Sequence, residues 1–349
     1  MKLQGPILVG TDFTAASDEA LRQANDLAND LGTSLIVCHV VPELDTVNIL
    51  FPQLAARSAE HREILTSKAM GAVEGQVAAS LNTGTANVSV VVDSGTPHAG
   101  LLTQADVLGA GLIVLGPGRT ADRVLRHATV PTLVARQSPR GIVIGATDFS
   151  DPSLPALEAA AAEARRRDSA LHLLHVVDVG TFALADAAAG GLPFVHGIPG
   201  ISLRTIDDLQ AAAWSRLREI LTGLAIDGEA IAMSGPAAQT IVDHARSASA
   251  ELVVVGTHGR TGLARLTLGS TAESIIRSAP CSVLVVRLTV WWDAKILGGE
   301  WVRLGVALEE RQAEISRLKH RGQGFCKFDP SASISQKRQQ HSRGRQITK

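Results

Sequence analysis

The run Gly256-Thr257-His258-Gly259, followed after nine residues by Gly269-Ser270-Thr271, has the residue types and spacing of a loop that cradles phosphate. Glycines let a backbone turn tightly and approach a ligand without a Cβ in the way. A helix that starts at such a loop adds unpaired N–H donors and the positive end of its dipole. Here the apolar run from Leu252 to Val255 precedes the loop and a helical pattern follows it. Ser270 and Thr271 would supply hydroxyl donors to an anion or cap that helix. Spacing alone leaves two readings open: an anion cradle, and a glycine-rich surface loop capped by Ser270.

Other polar residues fall near the same place in the pattern. Asp148 follows a strand-like run, Ile142 to Ala146, and then Thr147. A carboxylate there can stay solvated and accept two hydroxyl hydrogen bonds, or it can close an Asx turn that starts the next helix. His258 could donate to a phosphate or face solvent, and Arg260 and Arg265 are placed either to meet phosphate oxygens or to sit on the surface. His39 and His175 end equivalent strands. Neither has a second His or Cys at ligand spacing, so packed or turn-bonded histidines are expected rather than metal ligands. No GxxxxGK[ST], GxGxxG or assembled Ser/His/Asp or Cys/His set occurs, so no catalytic residue is assigned and binding rather than turnover is the default.

The elements that must position these residues occur twice. Pro6-Ile-Leu-Val-Gly-Thr-Asp-Phe-Thr14 is echoed by Ile142-Val-Ile-Gly-Ala-Thr-Asp-Phe-Ser150, and Cys38-His-Val-Val41 by Leu174-His-Val-Val177, both at an offset of 136. Ser94-Gly95 and Leu112-Ile-Val-Leu-Gly116 recur as Ser234-Gly235 and Leu252-Val-Val-Val-Gly256 at an offset of 140. This is a tandem duplication. Short β-branched runs alternate with Ala-rich stretches in each copy, which predicts parallel strands joined by right-handed helical crossovers and covered on both faces. The expected strands are 7–10, 35–41, 88–92, 112–115 and 132–135, then 142–146, 171–177, 229–233, 252–255 and 283–287. Ser17, with Asp18 and Glu19, and Asp151-Pro152 read as helix starts, and Gly32 as a helix stop. In open sheets of this kind ligands bind at the carboxyl ends of strands where the strand order reverses, so the Asp loop and the glycine loop should face one crevice.

Composition narrows the class. A chain of 349 residues with 45% hydrophobic and 19% charged residues fits two soluble domains plus an extension. No apolar run reaches the roughly 18 residues of a spanning helix. The start MKLQGPILVG reads as a strand rather than a secretory leader, so a cytoplasmic protein without membrane attachment is expected. Cys38, Cys281 and Cys326 are far apart and show no CxxC pairing, which argues against a disulfide or zinc framework, and Cys38 and Cys281, in strand-like runs, fit small buried hydrophobes. Residues 288–349 hold 12 basic and 6 acidic residues, leaving 21 basic against 28 acidic in the body. That mildly acidic body gives no reason to expect nucleic-acid binding, and only the basic tail could make such a contact.

With the pieces in this order, the chain resembles the universal stress protein family, as a tandem-domain member, over residues 6–136 and 141–287. The most specific element is GTHGRTGLARLTLGSTAESIIRSAPCSVLVVR in the second copy, which matches the G-x2-G-x9-G-[ST] pattern of the family's ATP-binding branch. The resemblance implies an α/β fold of two flavodoxin-like, Rossmann-like doubly wound domains, each with a five-stranded parallel sheet of order 3-2-1-4-5. It also implies pairing through the last strand, which a tandem chain can make within itself, with a homodimer of chains also open. The implied domains are 1–137 and 141–287; the resemblance stops after Arg287, and the composition of 288–349 reads as a basic extension, partly helical and then disordered. The implied cofactor is ATP, with Mg2+ bound through the nucleotide. The backbone at Ala146, Thr147 and Val177 would meet adenine, and Asp148 would lie near the ribose or the metal. Gly256, Gly259, Gly269, Ser270 and Thr271 would hold the phosphates, within reach of His258 and Arg260.

The first copy departs from this pattern. It runs from Gly116-Pro-Gly118-Arg119-Thr120 straight into a segment aligned with Ala272–Ala279 at an offset of 151, so about 11 loop residues are absent, which on this alignment include the counterparts of Gly269 and Ser270. Pro117 also lacks the N–H that a phosphate would use. The first copy keeps Asp12 and Val41, and one nucleotide per chain is expected. Residues 178–204, rich in Gly and Pro, are expected to form a long mobile loop beside the crevice. The leading functional expectation is a nucleotide-dependent regulator in the stress response. A scaffold of the same fold that binds no nucleotide, and a slow ATP phosphohydrolase, are the alternatives.

Overall fold

A computed structural model describes residues 5–42, 55–81, 87–150, 153–178, 203–225, 227–257 and 268–287, with side chains from 62 and 206 onward in the second and sixth helices. Within the unit Met1–Thr289 lie both repeats. The unit Val290–Lys349, Cys326 and the glycine-rich stretch 179–202 lie outside the described residues.

The first repeat runs β1 (Ile7–Gly10), α1 (Ala15–Leu31), β2 (Leu35–Val41), α2 (Ala55–Ser80), β3 (Val88–Ser94), α3 (Pro97–Val107), β4 (Leu112–Leu115), α4 (Arg119–His127) and β5 (Thr132–Val134). The second runs β6 (Ile142–Ala146), α5 (Leu154–Arg167), β7 (Leu171–Val177), α6 (Leu203–Leu224), β8 (Glu229–Ser234), α7 (Ala237–Ser247), β9 (Ala250–Gly256), α8 (Ser270–Ser278) and β10 (Ser282–Val286). The ten strands form one sheet in the order β3-β2-β1-β4-β5-β10-β9-β6-β7-β8. Each repeat therefore has the order 3-2-1-4-5 and is parallel inside, and the repeats join through the antiparallel pair β5–β10. The order reverses between β1 and β4, and again between β6 and β9.

The helix starts differ from the sequence expectation. Thr14 rather than Ser17 caps α1, its hydroxyl accepting from the Ser17 amide at 3.4 Å. Helix α5 begins at Leu154 after Ser153, and Asp151 and Pro152 lie outside the described residues. The stop at Gly32 is a left-handed cap: Thr33 N donates to Ala28 O at 2.9 Å and Gly32 N to Asn29 O at 3.2 Å. Asp168 closes α5 in the same way, with Ser169 N to Ala164 O at 3.0 Å and Asp168 N to Arg165 O at 3.3 Å. The 136-residue offset thus holds atom by atom at both caps.

Both faces of the sheet are covered, which is why its strands read as unbroken apolar runs. Leu8, Ile113, Val134, Val253 and Val283 pack beneath Leu101, Leu125, Ile241 and Ile275. Ile7, Leu112, Leu133, Leu252 and Leu284 pack beneath Leu21, Val73, Leu157 and Leu217. Each of these two cores runs through both repeats. Cys38 and Cys281 are fully buried, and burial pushes their thiols up to about 12 and about 11, where they act as small apolar groups.

The join has two-fold character. Leu133 faces Leu284 across β5–β10, and these positions are equivalent at the 151-residue offset. Arg136, just past β5, donates to the Ile276 carbonyl in α8, and its counterpart Arg287 donates to Leu125 O in α4. Ile276 and Leu125 are themselves equivalent, so the contact is reciprocal, as in an isologous dimer. Beside it lies a charge cluster on α5. Glu163, 3% exposed, accepts from Arg166 Nη2 at 2.8 Å and Arg167 Nε at 3.2 Å. Arg166 reaches on to Asp30 of α1, and Arg167 to Glu251 at 3.4 Å. Burial pushes the Glu163 carboxyl up, but the Arg166 and Arg167 guanidinium groups outweigh it and hold the group below its ordinary value.

Candidate nucleotide site

In the second repeat the chain leaves β6 through Thr147, Asp148 and Phe149. Thr147 N donates to Leu174 O at 3.0 Å, which ties the strand end to β7. The Thr147 hydroxyl accepts from Phe149 N at 2.9 Å and meets Ser153 Oγ at 2.7 Å. Asp148 Oδ1 accepts from Ser150 N at 3.0 Å and from Ser150 Oγ at 2.5 Å. This is the Asx turn that the sequence left open, built as a platform that fixes the carboxylate just past the carboxyl end of β6. Ala146 pairs with Leu174 in the sheet, and Val177 O accepts from Gly235 N at 3.1 Å.

Phe149 holds this turn in a way that no sequence motif announced. It has φ of 62°, a left-handed conformation unusual for a bulky residue. Its ring stacks on His175 at 4.2 Å, Arg216 of α6 lies 5.0 Å above the ring centre, and His175 Nδ1 is 2.8 Å from Thr147 O. His175 is thus turn-bonded, as expected. The first repeat reproduces the set: Phe13 has φ of 64°, its ring lies 4.6 Å from that of His39, and His39 Nδ1 is 2.8 Å from Thr11 O. There the Asp12 carboxylate accepts from Thr14 Oγ1 at 2.6 Å. Burial pushes Asp12 up, but the hydroxyl and amide of Thr14 more than offset it and leave the group below its ordinary value. The signal in the sequence was the shared Thr-Asp-Phe with His at the next strand end, repeated at one offset.

Strand β9 delivers Gly256 and Thr257 beside this turn, Gly145 of β6 being paired with Val254. Gly269 returns to that point, its N–H donating to Thr257 O at 2.9 Å, and caps α8 with no side-chain hydrogen bond. Ser270 and Thr271 are therefore the first two residues of α8, and Ser270 does not cap the helix. The structure thus brings together Ala146, Thr147, Asp148, Val177, Gly256, Gly269, Ser270 and Thr271. His258, Gly259, Arg260 and Arg265 lie outside the described residues.

The first repeat shortens the corresponding loop. Gly116 sits so near α1 that a Cβ there would lie 2.9 Å from the carbonyl carbon and oxygen of Ala16. Pro117 follows, and Gly118, at φ of 149°, caps α4 directly. Asp122 N donates to Gly118 O at 3.0 Å, as Glu273 N does to Gly269 O at 2.9 Å. Gly118 is thus the counterpart of Gly269, correcting the expectation that this position had been lost. The missing residues are those of the loop before it, and Arg119 stands where the second repeat has Ser270.

A doubly wound sheet with an Asp turn and a glycine-bounded helix start at its switch point defines a Rossmann-like α/β class of protein. The chain belongs to the universal stress protein family, whose model matches residues 5–136 and again 140–287. Universal stress protein Rv1996 of Mycobacterium tuberculosis is 26% identical over 315 residues, covering 81% of this chain and 95% of that protein. Universal stress protein MJ0531 of Methanocaldococcus jannaschii is 33% identical over 141 residues, 40% of this chain and 78% of its own length. Among solved structures, a universal stress protein of Archaeoglobus fulgidus matches with a TM-score of 0.54 at 19% identity, covering 81% of this chain and 98% of that one. Among the described residues no helix is long and apolar enough to cross a membrane, and no group of three His, Cys, Asp or Glu residues could hold a metal ion.

Proposed function

We propose that this stress-response protein binds one adenine nucleoside triphosphate per chain, with Mg2+, in the second repeat, and that occupancy sets the state of a regulatory surface. The observation that carries the reading is the asymmetry between repeats that share strand order and cap geometry. Both keep the Thr-Asp-Phe turn and its histidine. In both, a helix whose first N–H groups have no side-chain cap follows β4 or its counterpart β9; in the second the long glycine loop precedes it, while in the first Gly116 and Pro117 run straight into it.

The residues fit such a ligand. A polyphosphate needs backbone N–H donors and hydroxyls at a dipole end, which Ser270 and Thr271 supply, while the Gly269 N–H is committed to Thr257 O and holds the loop end in place. Gly256 and Thr257 bring β9 to the same place, and the loop from His258 through Arg260 would complete the cradle. Asp148 is held where it could accept ribose hydroxyls or face a nucleotide-bound cation. Ala146, Thr147 and Val177 present backbone to a base. The metal would neutralise phosphate charge, and the chain would orient the nucleotide. The family assignment supports the same reading.

Protein purified without added nucleotide, denatured and resolved by chromatography with absorbance detection, should release adenine nucleotide at no more than one per chain. A protein that never carries or takes up nucleotide would favour the scaffold reading, and ADP accumulating over hours would favour slow hydrolysis.

A further inference from the structure

Several contacts that join the repeats are blind to which repeat makes them. Leu133 against Leu284 would become Leu133 against Leu133, or Leu284 against Leu284, if two chains paired like halves. Arg136 would find Leu125 O, and Arg287 would find Ile276 O, because these pairs are equivalent. Arg126, now 2.7 Å from Glu273, would find Asp122, the acid at the corresponding position. A duplicated isologous surface of this kind fits a second copy of itself as well as its sister.

One charged contact tells the repeats apart. Arg166 of α5 reaches Asp30 of α1, and the two positions are equivalent at the 136-residue offset, each two residues before a left-handed cap with matching hydrogen bonds. A contact between equivalent positions lies on the pseudo-two-fold axis. A pair of first repeats would place Asp30 against Asp30, beside the two Asp26 side chains. Asp26 is already pushed above its ordinary value by burial and then by Asp30. A pair of second repeats would place Arg166 against Arg166. Glu163 aims that guanidinium, binding Nε at 3.2 Å and Nη2 at 2.8 Å and leaving Nη1 for Asp30, whereas the first repeat has Leu27 at the matching position. Ser282 adds a one-sided preference. Its hydroxyl accepts from Arg136 N at 3.0 Å and lies 3.0 Å from Gln23 Oε1, and its counterpart in the first repeat is Pro131.

We infer that the Asp30–Arg166 pair on the axis is the selectivity element of this interface: it makes each repeat accept the unlike repeat and reject its own kind, so that the chain closes on itself. Like charges set opposite each other supply the rejection, and the opposite charges supply the match. The inference is independent of nucleotide binding.

The test uses two full-length chains: Asp30→Arg, and Arg166→Asp combined with Glu163→Gln so that no new carboxylate pair forms within α5. Each alone faces like charges on its own axis. Unfolded together, one of them isotope-labelled, and refolded at equal concentration, they should form a 1:1 dimer in which both axes again set an acid against a base across positions 30 and 166. Native mass spectrometry should show that mixed dimer at least tenfold above the level from labelled and unlabelled wild type. A chain that fails to refold alone should be rescued by the other. A single chain carrying all three substitutions should remain a monomer. Mixed dimer at the wild-type level, or no rescue, would overturn the inference.

Discussion

Replacing Glu163 by alanine should destabilise the protein by about 3 kcal/mol at pH 7, because it leaves two partly buried guanidinium groups without the carboxylate between them, each keeping one acid, Asp30 or Glu251. Glu163 is 3% exposed and sits between Arg166 and Arg167. Removing one partner of a buried pair costs far more than the pair itself contributes. The first repeat carries the apolar solution at equivalent positions, with Leu27 in place of Glu163 and Leu31 in place of Arg167. A Glu163→Leu/Arg167→Leu chain should therefore lose less than Glu163→Ala, which urea unfolding would show. The pH dependence follows from the sign of the shift. The folded carboxyl titrates below its ordinary 4.5, so its contribution is fully present above pH 4.5 and disappears as pH falls through the lowered value. The gap between wild type and Glu163→Ala should close in that acid window and stay constant near neutrality.

Saturation with Mg-ATP at about 100 times its dissociation constant should add about 2.7 kcal/mol to the folded state, and Gly269→Val should remove that gain. The wild-type melting temperature should rise by on the order of 5 °C. Gly269 has φ of −65°, which any residue adopts, so the backbone tolerates valine. A Cβ at Gly269 would lie 3.3 Å from Thr257 O, a contact relieved by a shift of a few tenths of an ångström. The branched side chain would then stand over the start of α8, where phosphate would bind. The variant should melt near the wild-type temperature without nucleotide and show no rise with it. An unchanged rise would place the ligand elsewhere.

The sheet was legible because its strands are apolar on both faces and occur twice. The offsets of 136, 140 and 151 residues located the elements, and observed strand boundaries fall within two residues of the expected ones. The Asp148 turn was legible only as a choice, since a carboxylate after a strand serves an Asx turn and a ligand equally well, and here the turn is what positions it. The Phe149–His175 stack escaped because backbone strain leaves no mark in residue type, although Thr-Asp-Phe at both strand ends was visible. The identity of Gly118 as the partner of Gly269 was hidden by the shortened loop, which helix hydrogen bonds resolve and spacing does not. The axis pair was invisible for another reason: Asp30 and Arg166 are unlike residues at equivalent positions, so the repeat comparison that found the duplication passes over them.

Calorimetric titration of the full chain with Mg-ATP tests the central claim most directly. One site per chain, abolished by Gly269→Val, is the predicted result. Two sites per chain, or heat of binding that Gly269→Val leaves intact, would contradict it.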